Sequence, residues 1–317
     1  TQVNIDGIIN HEFIQLSLGE NWANKTIGET HWSGEIKIKD KRTDIEIKTD
    51  LKGIQLDLPP PFNKKDNEIT TLLLTKNSIN EDQELVKVEI GTYAFIELKR
   101  ERNYEGIMKI KNGLVSINSL QKEMPEEGVM LSAELSEVNL ESINSLFNGL
   151  SSKPLITDMD VNIQELDVYG YKILNANIKY VPTNKNVSIQ ILSNDVVGNI
   201  LWDSKENLLK AGFEKLHLKK NNTPVGDENK FIFSDAPKIN IKAKSLMIDE
   251  DVYGDLSLIG FKENKMWHIE SFKITNPDYT INGSGLWDDE GLIPNTSINF
   301  SWNINNIQKT FDQLSYP

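Results

Sequence analysis

Cysteine is absent from all 317 residues, which excludes a disulfide framework, thiolate chemistry and cysteine-based zinc sites. Basic charge is in deficit: 34 Lys and Arg stand against 47 Asp and Glu, a formal net charge of −13. The densest basic stretches, Lys37 to Lys41 and Lys99 to Arg102, are interrupted by acids, so the basic stripe that nucleic acid requires is missing. Charge-driven docking on an anionic membrane surface is disfavoured for the same reason. No apolar run approaches the roughly 20 residues of a membrane-spanning helix. Thr1 to Asn4 carry neither the basic nor the apolar stretch of a signal peptide.

Catalytic and metal-binding patterns are equally scarce. The four histidines, His11, His31, His217 and His268, show no His-x-x-x-His spacing, and surface or strand-edge positions are expected for them. Asp158 and Asp160 read as turn residues ahead of a strand. Asp249-Glu250-Asp251 reads as a solvated turn, because it lacks the glycine and distal glutamate of a calcium loop. Nucleophile elbows, phosphate-cradling loops and dinucleotide fingerprints do not occur. No catalytic residue, metal or cofactor is expected, and the chain does not read as an enzyme.

What the sequence has in abundance is alternation. Ile36 and Ile38 sit among Glu35, Lys37 and Lys39; Ile45 and Ile47 among Asp44, Glu46 and Lys48. The pattern returns at Val86, Val88 and Ile90. Successive strand side chains point to opposite faces, so apolar residues two apart share one face and leave the other to Lys, Glu, Asn, Ser and Thr. The candidate apolar face comprises Ile36, Ile38, Ile45, Ile47, Val161, Ile163, Leu166, Val168, Ile239, Ile241, Leu246, Ile248, Leu256, Leu258, Ile298, Phe300, Trp302 and Ile304. For the six tryptophans, ordinary packing between strands is the favoured role over a ligand cage, since they are scattered along the chain.

Asn112-Gly113, Asn264-Lys265 and Asp288-Asp289-Glu290-Gly291 read as hairpin turns. Helical signals are few. Asn139 is placed to cap a short helix carrying Leu140, Ile143, Leu146 and Phe147 before Gly149. A second helix is expected to start near Asn305 or Asn306, with Ile307, Phe311 and Leu314 on one face. Both follow strands and read as lids against a sheet. An internal repeat is visible in the pairs Tyr169-Gly170 and Tyr253-Gly254, and again in Trp202-Asp203 and Trp287-Asp288. It suggests modules at about 155–235 and 236–317 after an N-terminal section 1–154, within one continuous elongated section. Alternation alone does not say whether the apolar face is sealed by a second sheet or left as a trough.

The segment Asp50-Leu51-Lys52-Gly53-Ile54-Gln55-Leu56-Asp57-Leu58-Pro59-Pro60-Pro61-Phe62-Asn63-Lys64 resembles a hallmark of the YhdP branch of AsmA-like proteins, a strand ending in a proline corner. The prolines must leave the sheet, because they donate no ladder hydrogen bond. Trp267, Ile269, Phe272, Ile274, Pro277, Gly283, Gly285, Leu286 and Trp287 are similar to the family's later run, as are Thr296 to Phe300 and the ending Leu314-Ser315-Tyr316-Pro317. The similarity runs from about Trp32 to Pro317 and is weakest between Thr75 and Val129. Phe62-Asn63 stands where Leu-Gly is more usual, and Ser315 where a glycine is common, which bears on loop detail.

The resemblance implies an all-β fold: a long, curled antiparallel sheet forming a U-shaped hydrophobic groove, with a few short helices. It implies a periplasmic section of a bridge-like lipid-transfer protein, anchored to the inner membrane by an N-terminal helix outside this chain. Its partners would be phospholipid acyl chains, with both membranes reached through parts lying elsewhere. About twenty strands at about 4.8 Å would extend on the order of 90 Å. Exposing a tail to water costs about 0.8 kcal/mol per CH₂, or more than about 20 kcal/mol for two tails, which an apolar trough would offset. The competing expectations are a scaffold of the outer envelope that carries no lipid, and a closed β-sandwich binding module.

Overall fold

The computed structural model describes residues 1–40, 42–140, 142, 156–182, 187–203, 205–220, 237–263, 266–288 and 295–313. The fold is all-β, with three short helices among the described residues. The chain divides into two compact units, Thr1–Ile163 and Gln164–Pro317.

In the first unit, β1 (Gln2–Ile9) pairs antiparallel with β3 (Thr30–Lys39), which pairs with β4 (Arg42–Thr49). The ladder continues antiparallel through β6 (Leu72–Ser78), β7 (Gln83–Ile90), β8 (Ala94–Arg102) and β9 (Met108–Ile117). β10 (Gly128–Asn139) then joins β9 in parallel, and β11 (Ile156–Val168) spans the boundary between the units. A small module interrupts this ladder. Helices α1 (His11–Leu18) and α2 (Glu20–Ala23) precede β2 (Thr26–Gly28), which pairs with β5 (Ile54–Leu56). The Asn10 side chain caps α1 by accepting from the Phe13 amide at 3.0 Å. Ile14, Ala23 and Ile54 form the module's core, with Ile9, Trp22 and Leu56 packed against it.

The second unit repeats one plan. β12 (Tyr171–Pro182), β13 (Val187–Leu192), β14 (Val196–Asp203) and β15 (Leu208–Lys220) form an antiparallel meander. β15 pairs in parallel with β16 (Lys238–Ile248). A second meander follows through β17 (Asp251–Glu263), β18 (Met266–Thr275), β19 (Tyr279–Asp288) and β20 (Asn295–Ile304). Helix α3 (Ile307–Gln313) ends the described chain, and its Phe311 ring meets Trp302 edge-on at 6.3 Å.

The sheet is therefore mixed where the sequence suggested antiparallel pairing throughout. Parallel and antiparallel strands share the same alternation, so the parallel joints β9–β10 and β15–β16 leave no periodic trace. The connection 118–127 makes the first joint by running back along the sheet. Asn112 Nδ2 donates to the Pro125 carbonyl at 2.6 Å, and Ser119 Oγ donates to the Ser132 carbonyl at 3.0 Å. These contacts bury Leu114, Ser116 and Ser132 on the face opposite Val115 and Ile117. The contact of Asn112 with Pro125 is made on the face opposite Val115.

Three local expectations change. Asn112-Gly113 is the middle of β9 and not a turn. A Cβ on Gly113 would stand 2.5 Å from Leu98 Cδ2, so the glycine serves close packing; the turn into β9 is made at Asn103 to Ile107, with Gly106 at φ +81°. Asp158 and Asp160 lie within β11 rather than ahead of it. Tyr169-Gly170 forms the β11–β12 turn, with φ of +51° and +80°, whereas Tyr253-Gly254 lies inside β17. The position equivalent to the first turn is Asp249, at φ +53° between β16 and β17. Trp202-Asp203 and Trp287-Asp288 close β14 and β19. Ile143 to Gly149, Asn264-Lys265, Asp289 to Gly291 and Leu314 to Pro317 lie outside the described residues; Asn139 does cap Ser142, accepting from its amide at 2.8 Å.

Candidate lipid-binding face

Directly opposed residues of neighbouring strands share a face, so the registers trace rows across each unit. In the second unit one row reads Tyr180, Ile189, Ile200, Ala211, Ile241, Leu258, Phe272, Gly283, Phe300. The next reads Ile178, Ile191, Gly198, Phe213, Ala243, Leu256, Ile274, Ile281, Trp302. A third, from β14, reads Trp202, Leu209, Ile239, Gly260, Ile269, Gly285, Ile298. Every member is apolar, aromatic or glycine.

The opposite face is more polar, although it carries Leu201 and Ile259, and Leu192 beside Val197, among Ser, Lys and Asn. One row runs Lys179, Gln190, Asn199, Gly212, Lys242, Ser257, Lys273, Asn282, Ser301, without one apolar side chain larger than glycine. The nine strands give the apolar rows a length of about 38 Å at about 4.8 Å per strand.

The first unit carries the same device. Ile5, Gly34, Ile47, Leu74, Val88, Ile96, Val115 and Leu131 form a row across eight strands, backed by the polar Asn4, Glu35, Glu46, Thr75, Lys87 and Glu97 and then by the apolar Leu114 and Met130. The Lys87–Glu97 pair, 2.9 Å apart, lies on that polar face.

Burial distinguishes a covered face from an open one. All eight members of the first unit's apolar row are half-buried. In the second unit's rows only Gly198, Ala211, Ala243 and Gly260 are buried, and these are small residues overhung by larger neighbours. The large side chains stay half-exposed, or exposed in the case of Ile298 (46%) and Phe300 (62%). The glycines make room for the rings: a Cβ on Gly283 would stand 2.4 Å from Phe272 Cε1, and one on Gly260 would stand 2.1 Å from Trp267 Cζ3.

Of the candidates read from the sequence, Ile239, Ile241, Leu256, Leu258, Ile298, Phe300 and Trp302 come together in the second unit's rows. Ile304 faces Tyr279, Leu246 faces Leu216, and Ile248 faces Leu218. In the first unit Ile36 and Ile45 are direct partners, Ile47 faces Gly34 and Ile38 faces Thr43. Val161, Ile163, Leu166 and Leu246 are buried, and Val168 is half-buried. The first unit's row also contains Leu74, Ile96, Val115 and Leu131, which sequence alternation does not single out. Leu74 belongs to the unbroken run Leu72-Leu73-Leu74, which offers no alternation from which to choose a face. Glycines at Gly34, Gly198, Gly283 and Gly285 also belong to the face, and only the register reveals them.

The Asp50–Lys64 segment turns out to be a structural clasp. Leu56 and Lys64 exchange backbone hydrogen bonds at 2.8 and 3.0 Å, and the buried Lys64 Nζ donates to the Ile54 and Lys65 carbonyls, both at 2.9 Å. Burial lowers the Lys64 ammonium pKa, opposed by Glu68, Asp50 and Asp66. Pro59 to Pro61 lie outside the strands, as their missing donors require. Three of the four histidines are similarly occupied: His11 Nδ1 lies 3.0 Å from the Ala23 carbonyl, His217 Nε2 lies 3.2 Å from Ser245 Oγ, and His268 stacks on Phe261. Burial, with Lys215 and Lys219, lowers the His217 pKa against the pull of Asp195. Among the described residues no group of three or more His, Cys, Asp or Glu is placed to hold a metal, and no helix is long and apolar enough to cross a membrane.

A family model described as YhdP protein matches residues 1–317, the whole chain. No curated protein and no solved structure matches it.

Proposed function

The chain belongs to the YhdP family, and from that premise we propose that it is a section of a periplasmic lipid-transfer conduit. On this reading it carries phospholipid acyl chains on its apolar faces between the inner and outer membranes, and it acts as a carrier rather than a catalyst. The observation that carries the reading is the set of continuous apolar rows on one face of the second unit. Apolar rows across nine strands keep their large side chains half-exposed or exposed, while the row Lys179 to Ser301 on the other face has no apolar side chain.

The rows are longer than the roughly 15 Å that one leaflet's tails occupy, half of a bilayer core of about 30 Å. A tail laid across them recovers contact for each CH₂ that would otherwise cost about 0.8 kcal/mol in water. The headgroup needs no dedicated chamber, because it can remain in solvent at the rim. A closed sandwich is disfavoured by burial, since a second sheet would cover Leu258, Phe272 and Phe300. A scaffold that carries no lipid has no use for so extensive an uncovered apolar surface.

Photo-crosslinking from two adjacent positions on β17 tests the reading. A crosslinker at Leu258 faces the apolar side, and one at Ser257 faces the polar row. Lipid adducts are expected from position 258 and not from position 257. Equal labelling from both, or from neither with no co-purified phospholipid in native mass spectra, would overturn it.

A further inference from the structure

One place on the first unit's apolar face is charged. Along the row Ile45, Lys76, Val86, Leu98, a lysine interrupts the aliphatic sequence. Two residues further along the strands, Ser78, Glu84, Arg100 and Ile110 are successive partners, so Lys76, Glu84 and Arg100 share the face that carries Val86 and Leu98. Glu84 is buried and bridges both cations, 3.3 Å from Lys76 Nζ and 2.8 Å from an Arg100 guanidinium nitrogen. Lys76 Nζ also donates to the Thr43 carbonyl at 2.6 Å, which fixes its position. Two cations around one carboxylate leave a positive charge on the apolar face of a chain whose net charge is −13.

Arg100 does more than close this cluster. Together with Val86, Leu98, Met108, Lys109 and Ile110 it lines an open depression of about 540 Å³. An apolar hollow with a guanidinium at its edge matches an amphiphile that has a hydrocarbon tail and an anionic head. Phosphate oxygens suit guanidinium because its planar donors engage two of them at once. Asp44, one residue from Ile45 in β4, accepts from the Ser78 amide at 2.8 Å.

We propose that Arg100, braced by Glu84 and Lys76, anchors the phosphodiester of a glycerophospholipid whose tail lies in the adjoining depression. This rests on the lipid-carrying reading above and adds a station to it: a point along the face where the head is held while the tail is not released to water.

The test uses the whole chain with a photo-crosslinker at Ile110, so that only this depression is read. Crosslinking is measured against concentration for a phosphatidylglycerol and for a diacylglycerol with the same tails, in wild type, Arg100→Gln and Arg100→Lys. In Arg100→Gln, half-maximal labelling by phosphatidylglycerol should require about tenfold more lipid, the cost of one charged hydrogen-bonded contact. Diacylglycerol labelling should not move, and Arg100→Lys should fall between. Millimolar inorganic phosphate should not displace the phospholipid, and displacement would indicate a free-anion site instead. Unchanged phosphatidylglycerol labelling in Arg100→Gln, or an equal loss for both lipids, overturns the anchor and leaves the conduit reading standing. Labelling by neither lipid in wild type removes both.

Discussion

Gly283 shows how much of the apolar face depends on residues without side chains. It lies between Phe272 on β18 and Phe300 on β20, and the position its Cβ would take is 2.4 Å from the Phe272 ring and 2.7 Å from the Asn299 carbonyl. The backbone oxygen is the harder obstacle, since a ring can rotate away and a ladder carbonyl cannot. Gly283→Ala is expected to cost about 1–3 kcal/mol through overpacking. Urea unfolding should show a lower midpoint at unchanged slope, because the surface exposed on unfolding is the same. An unshifted midpoint would mean that β19 gives way without cost, and that the glycine is not there to seat the ring. Gly260 under Trp267 and Gly198 under Phe213 repeat the arrangement.

At the scale of elements, strand positions were readable from the sequence and strand partners were not. Period-two alternation placed Ile239, Ile241, Leu256 and Leu258 on one face before any register was known, because burial preference follows the pleat directly. The same alternation cannot say that β15 and β16 run parallel, nor distinguish a hairpin Asn-Gly from Asn112-Gly113 in mid-strand. Nor does it work where both faces are apolar, as at Leu72-Leu73-Leu74. Those questions are settled by connection placement and cross-strand crowding, which depend on residues far apart in the chain. The C-terminal helix was legible because capping is local. Asn306 Oδ1 accepts from the Lys309 amide at 3.1 Å, and Thr310 is fully buried, with its Oγ1 donating to the Asn306 carbonyl at 2.7 Å. Asn306→Ala should remove about 1 kcal/mol from α3. Amide exchange in α3 should quicken while exchange in β19 and β20 is unchanged; acceleration spreading into those strands would make the helix a part of the sheet's stability instead of a separable lid.

For the whole molecule, the proposed function requires tails to pass along the apolar faces of both units, and that requirement differs from mere lipid storage. Ile96 is an interior member of the first unit's apolar row, and Ile241 is at the middle of the second's. Both are half-buried, so a carboxylate at either place reaches solvent without breaking a packed core. Ile96→Asp and Ile241→Asp should therefore fold, and each should put a charge where hydrocarbon must slide. A local barrier of about 1.4 kcal/mol already slows passage about tenfold. In a conduit the obstacles lie in series, so resistances add: either single variant should cut inter-membrane transfer at least tenfold, and the double variant should be little slower than the worse single one. Lipid bound at rest should fall only in the unit that carries the substitution. If instead each unit stored lipid independently, each variant would remove its own share of bound lipid and transfer would fall by a comparable fraction. Transfer that survives in a folded Ile241→Asp protein would show that tails do not travel across this face.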